Sequence, residues 1–110
     1  MKNIPKLLID MFEAIESIEA YQLASYEEFV DDEKTQDAIM FNLIILGEAA
    51  NGIPKSFQES HTELPWAAII GTRNVIVHGY DQIKLPIVWD ILTKDLHQLK
   101  QSLEELSSNL

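Results

Sequence analysis

The side chains able to do polar chemistry concentrate in one short stretch, Gly71-Thr72-Arg73-Asn74-Val75-Ile76-Val77-His78-Gly79-Tyr80. It holds the only arginine of the chain, five residues before a histidine and seven before a tyrosine. That arginine stands in an otherwise apolar run from Trp66 to Val77, broken mainly by Gly71, Thr72 and Asn74. A guanidinium is costly to desolvate and is seldom buried without a partner. On a helix, Arg73 and Tyr80 would lie about 20° apart around the axis, and Asn74 and His78 about 40° apart. Adjacent faces would then carry a permanent cation, a group titrating near neutrality, an amide and a phenol. Such a set can cut RNA without a metal. The ribose 2′-hydroxyl attacks the neighbouring phosphorus, and a histidine of pKa ~6.5 moves the proton. Arginine suits the phosphorane because its planar fork pairs two oxygens at once.

Transesterification gains from both an acid and a base, and one copy of the stretch supplies one histidine. A two-fold dimer bringing two copies of His78 together would supply both, with Asn74 holding the scissile phosphate or orienting His78. A plainer reading is that Arg73 and His78 only satisfy Glu48 and helix-end carbonyls. Glu48 has two destinations open: Arg73, or solvent and a backbone amide. His61, in a turn, and His97, beside Asp95 and Gln98, read as surface residues. His78 and Asp81, three apart, are thin evidence for a metal site, and neither a metal nor a cofactor is expected. Trp66 and Trp89 read as core anchors rather than base-stacking platforms.

The elements that must position these groups are helical. Ile4, Leu8, Met11, Ile15 and Ile18 recur at spacings of four and three, predicting an amphipathic helix with Glu13, Glu16 and Glu19 on its wet side. Tyr21 to Val30 reads as a connection or a short turn of helix. Asp31 or Asp32 is placed to cap the next helix. From Ala38 to Ala50 that helix is apolar almost all round, interrupted by Asn42 and Glu48, as befits the middle of a bundle. Gly52 and Pro54 end it. Lys55 to His61 makes a short helix or turn, and Pro65 opens the helix that carries the polar stretch. Gly79 stands as a helix C′ residue, which puts His78 in the last turn. Pro86 opens a last helix whose Leu85, Trp89, Leu92, Leu96, Leu99, Leu103 and Leu106 keep a four-three alternation, the seam of antiparallel packing at a shallow angle. The expected fold is all-α, an antiparallel up-and-down four-helix bundle with a short additional helix.

Residues 1–110 fit one domain with a modest core, at 46% hydrophobic and 24% charged. There is no cysteine, so stability must come from packing. No apolar run reaches the roughly 18 residues of a membrane span, and Met1 to Asp10 lacks a signal-peptide layout; a cytoplasmic protein with no membrane partner is expected. The net charge of −10 weighs against an extended nucleic-acid surface on one subunit, because such a surface is normally basic. A small concave site around Arg73, shared with a second copy, remains compatible with it.

Arg73, four residues, His78, one residue, Tyr80 resembles the signature of the HEPN superfamily, in its HepT-like branch of small toxin ribonucleases. Glu28-Phe29, Asp32, Gly47-Glu48-Ala49, Pro65-Trp66 and Val88-Trp89 are similar to that branch's landmarks, in order. The resemblance implies a metal-independent endoribonuclease, the toxin of a type II toxin–antitoxin system, working as a homodimer with a composite site in its cleft. Arg73 and His78 would be catalytic, and Asn74 and Glu48 would position the RNA substrate. It also implies a cognate antitoxin, a minimal nucleotidyltransferase that inactivates the toxin by AMPylation of Tyr80; the bland alternative is that Tyr80 packs under the last helix. The position of Asn42 is often basic in the branch, so asparagine there lessens the positive charge. A non-catalytic HEPN module that binds RNA, a nucleotide or the nucleotidyltransferase is the competing function.

Overall fold

A computed structural model describes residues 3–79 and 82–110, and these form helices and short connections with no strand among them. The first helix, α1, spans Ile4–Glu19. The Asn3 side chain accepts from the Lys6 backbone N–H at 3.1 Å, and Pro5 stands in the first turn, where a missing N–H costs nothing. Leu8, Met11, Ala14, Ile15 and Ile18 are buried, as the spacing predicts. Glu13 and Glu16 face solvent, but Glu19 reaches across the bundle to Lys100 at 3.0 Å, with His97 at 3.7 Å. The connection after α1 condenses into a short helix, α2 (Tyr26–Val30), capped by Ser25, which puts Phe29 in the core. Phe29 stacks on Trp89 at 5.6 Å between ring centroids, and Tyr26 meets the same indole edge-on at 6.0 Å.

The central element is α3, Glu33–Gly52, which packs along both α1 and α5. Asp32 is its cap, accepting from the Thr35 hydroxyl at 2.6 Å and the Thr35 backbone N–H at 3.0 Å. Those two bonds hold the Asp32 carboxyl below its usual range, the hydroxyl contributing most. Two flanking helices explain the nearly all-round apolar composition: Ile39, Met40, Leu43, Leu46, Ala49 and Ala50 are buried. One stripe is left uncovered, and on it Phe41 is 61% exposed.

After α4 (Lys55–Ser60) comes α5, Trp66–His78, with Pro65 at the position just before its first residue. Trp66 is a core anchor whose indole N–H donates to the His61 carbonyl at 2.8 Å. His61 is not the surface residue expected. It is half-buried, its ring stacked on Phe57 at 4.1 Å with Nδ1 3.0 Å from the Phe57 carbonyl oxygen.

The last helix is a single rod in three parts: α6 (Leu85–Asp90), a π-helical turn (Ile91–Asp95) and α7 (Leu96–Ser108). Leu96, Leu99, Leu103 and Leu106 are buried as expected. Upstream the expected seam slips: Val88 is the buried residue, while Leu85, Trp89 and Leu92 are half-buried. A π step, closing i→i+5 bonds, turns the chain less per residue than an α step, so the phase read through Leu92 does not carry across the turn. The four long elements α1, α3, α5 and α6–α7 make the all-α bundle, with two short helices, α2 and α4, instead of one. Among the described residues no helix is long and apolar enough to cross a membrane.

Candidate functional site

The polar site is built where α5 crosses α3, and a glycine permits the crossing. A Cβ at Gly47 would lie 2.1 Å from Cβ of Arg73, 2.8 Å from its Cγ and 3.2 Å from the Ile69 carbonyl oxygen. Only a residue without a side chain lets the stem of Arg73 lie against the backbone of α3. The next residue, Glu48, then meets the guanidinium. Nε of Arg73 donates to Glu48 Oε1 at 2.6 Å, and Nη2 pairs with the same oxygen. Of the two destinations open to Glu48, the structure takes Arg73. The pair is not sealed: the side chains are 23% and 51% exposed for Arg73 and Glu48. A pair that open to solvent contributes at most about 1 kcal/mol to stability, so its consequence is orientation.

Asn74 completes the cluster. Its Oδ1 accepts from Arg73 Nη1 at 2.7 Å, so this carboxamide steers the guanidinium rather than His78. A guanidinium has five N–H donors. Three are engaged by Glu48 and Asn74, which leaves one on each Nη. Two donors from a clamped, planar group suit two oxygens of one phosphate.

His78 is the last residue of α5, exposed, with no hydrogen bond or ion pair among the described residues. Helix geometry sets it about 7.5 Å along the axis from Arg73 and about one turn from Asn74. Gly79 ends the helix with φ −139°, its N–H donating to the Val75 carbonyl at 2.8 Å, so this end does not use the left-handed glycine geometry expected of a C′ residue. Tyr80 and Asp81 lie outside the described residues. The structure thus brings Arg73, Glu48 and Asn74 together and stands His78 further along the same helix. Asn42 takes no part in the cluster: its side-chain amide donates to the Ala38 carbonyl at 2.9 Å, and it lines a groove with Asp10, Glu13 and Glu48. Among the described residues no three His, Asp or Glu side chains converge as metal ligands would.

Two site residues have no role in a reading of spacing alone. Gly47 carried a signal, a glycine inside a strongly apolar helix, but the cause is the approach of a segment 26 positions away in sequence. Lys55, on α4, comes to line one concavity with Asn74 only through folding.

The family model described as Ribonuclease HepT-like matches residues 11–106. A protein of Thermococcus cleftensis named "Probable ribonuclease HepT" is 36% identical over 100 residues, covering 90% of this chain and 91% of that protein. "Putative RNase TTE0752" of Caldanaerobacter subterraneus subsp. tengcongensis is 34% identical over 81% of this chain and 80% of its own. "Putative RNase MJ1380" of Methanocaldococcus jannaschii is 30% identical over 94% of this chain and 95% of its own. No solved structure matches. A family model spanning most of the chain, relatives matched nearly end to end, and an all-α bundle carrying the arginine–histidine helix place this chain in the ribonuclease HepT-like family.

Proposed function

We propose that this chain is a metal-independent endoribonuclease, the toxin of a type II toxin–antitoxin pair, silenced by a nucleotidyltransferase partner that attaches AMP to Tyr80. The observation that carries the cleavage reading is the clamp on Arg73. Glu48 and Asn74 hold three of its donors and leave one on each Nη for a phosphate, and His78 stands exposed at the end of the same helix. In the reaction a His78 takes the proton of the ribose 2′-hydroxyl as its oxygen attacks phosphorus. The P–O5′ bond breaks, the departing 5′-oxygen takes a proton from a second His78, and the products are a 2′,3′-cyclic phosphate and a 5′-hydroxyl. Arg73 offsets the charge gathering on the phosphorane oxygens.

The second histidine comes from a second copy of the chain. Its docking is supported by apolar side chains left in solvent near the cluster: Phe41 on the stripe of α3 that also bears Glu48, and Val75 and Val77 on α5, 57% and 43% exposed. Subunits of charge −10 repel, so an interface between them has to be largely apolar. The antitoxin and the AMPylation rest on the family resemblance. An AMP on Tyr80 would bring a phosphodiester of one negative charge, able to pair with Arg73 in place of the substrate phosphate.

The experiment is RNA cleavage with a chelator present, comparing the parent with Arg73→Ala and His78→Ala. Each substitution is expected to lower the rate on the order of 10²- to 10³-fold with helical circular dichroism unchanged. Equal cleavage by both variants and the parent would refute the assignment. RNA binding without cleavage by the parent would identify a non-catalytic module.

A further inference from the structure

Gly71 is the anomaly of α5. It sits inside the helix, where glycine is less favourable than alanine. Gly47 is bare because Arg73 presses on it, but a Cβ at Gly71 would meet nothing within 4 Å. No packing among the described residues explains its missing side chain. Gly71 forms part of the wall of a concavity of about 440 Å³ whose polar lining is Asn51, Lys55, Gln58 and Asn74. No carboxylate lines it. Four other concavities among the described residues each carry at least one: Asp95, Glu48, Glu19 and Glu105 are examples. Lys6, Lys94 and Lys100 are each paired with an acid, whereas Lys55, like Lys34 and Lys84, makes no ion pair among the described residues; of these three, Lys55 lines the concavity.

The concavity adjoins the site through one residue. Asn74 accepts from Arg73 on its Oδ1 and itself lines the concavity. The amide nitrogens of Asn51 and Asn74 have no acceptor among the described residues, while that of Gln58 is turned onto the carbonyls of Ala50 and Ile53 at 3.3 and 3.0 Å. A cation and two carboxamide donors that have no partner among the described residues, with a bare stretch of helix, form an anion-accepting surface. Of the apolar side chains that a second copy would bury, Phe41, Val75 and Val77, none lines it, although Val75 lies one helical turn from Gly71.

We infer that this concavity is a phosphate subsite that holds an RNA backbone phosphate flanking the scissile one, and this rests on the reading of Arg73 and His78 as the cleavage site. Lys55 supplies the charge, Asn51 and Asn74 donate, and Gly71 leaves room for the sugar–phosphate chain to lie against α5.

The test uses fluorescein-labelled single-stranded RNA, unmodified or with one neutral methylphosphonate linkage on either side of the cut, with kcat/KM and fluorescence anisotropy as readouts. For the parent, neutralising the linkage that occupies the subsite should lower kcat/KM about tenfold, the worth of one charge-assisted hydrogen bond. Lys55→Ala should lose a similar factor on unmodified RNA and lose nothing more on the neutral linkage. Gly71→Ala should melt at a higher temperature than the parent, because alanine favours helix, and still lose activity. A gain in stability with a loss of kcat/KM is not the outcome of a purely structural position. Parental kcat/KM in both variants would overturn the subsite and leave the cleavage site intact. Conversion of the dimer to monomer by Gly71→Ala would overturn it in favour of a contact between copies. If the parent cuts no RNA, the reading of Arg73 and His78 fails. Anisotropy then decides the subsite, which falls if the parent and Lys55→Ala bind the same RNA equally.

Discussion

Gly47→Ala tests how the site is assembled. The added methyl would lie 2.1 Å from Cβ of Arg73, against a resting carbon–carbon separation of about 3.5–4.0 Å. The two helices would have to part by about 1.5 Å, or Arg73 would have to swing off Glu48. Overpacking of this kind costs about 1–3 kcal/mol. Alanine returns about 1 kcal/mol of helix propensity. The net loss is then about 1 kcal/mol, a fall in melting temperature of about 4–8 °C for a domain near this size. Catalysis should suffer more, because a misplacement of about 1 Å can cost about 10²-fold. Thermal melts followed by circular dichroism, together with initial cleavage rates, read both effects. The control is the same substitution in an Arg73→Gly background. There the two nearest atoms are gone and the nearest that remains is the Ile69 carbonyl oxygen at 3.2 Å, so the added methyl should be neutral or stabilising. A Gly47→Ala protein that melts above the parent and cuts RNA at the parent's rate would refute the argument.

Three further outcomes are expected. Tyr80→Phe should keep most cleavage activity and gain no AMP mass when incubated with the nucleotidyltransferase and ATP; an equal mass gain on parent and variant would remove Tyr80 from the scheme. Phe41→Glu should shift the protein from dimer to monomer in light scattering at micromolar concentration, because it puts a charge on the exposed stripe beside Glu48; an unchanged dimer would place the interface elsewhere. With only Arg73 and Lys55 offered to the backbone by each subunit, log affinity for single-stranded RNA should fall with log salt at a slope of about −1.4 per site, and a slope several times steeper would mean that RNA meets further basic residues.

The apolar periodicity of α1, a cap at Asp31 or Asp32 and the end of α3 at Gly52 were all legible because each depends on residues within a few positions of one another. The bundle followed, since α3 has apolar residues on too many sides for a surface helix. The slip at Val88 was not legible, because nothing in a regular leucine spacing announces a π turn. The Arg73–Glu48 contact was one of two destinations and was settled by Gly47, which acts through the approach of two backbones. His61 was misplaced for a related reason. A histidine in a polar turn looks solvated until Phe57, four residues earlier, comes round to stack on it.

The charge of −10 weighs against RNA only if it is spread evenly, and it is not. The first 47 residues carry ten acids and three lysines, whereas from Glu48 to Gly79 there are three acids and two cations. One of those three acids, Glu48, is committed to Arg73. The excess acid therefore belongs mostly to α1, α2 and the start of α3, and at physiological salt a charge is screened beyond about 8 Å. Glu13 and Glu16 point to solvent from α1, and Glu19 is held by Lys100. The α4–α5 side is a nearly neutral surface with a clamped arginine, a lysine that makes no ion pair among the described residues, and three carboxamides. Such a surface gives weak non-specific attraction and ties affinity to a few matched donors. An acidic chain can handle phosphate in this way, and its acidity limits adventitious binding to nucleic acid elsewhere on the surface.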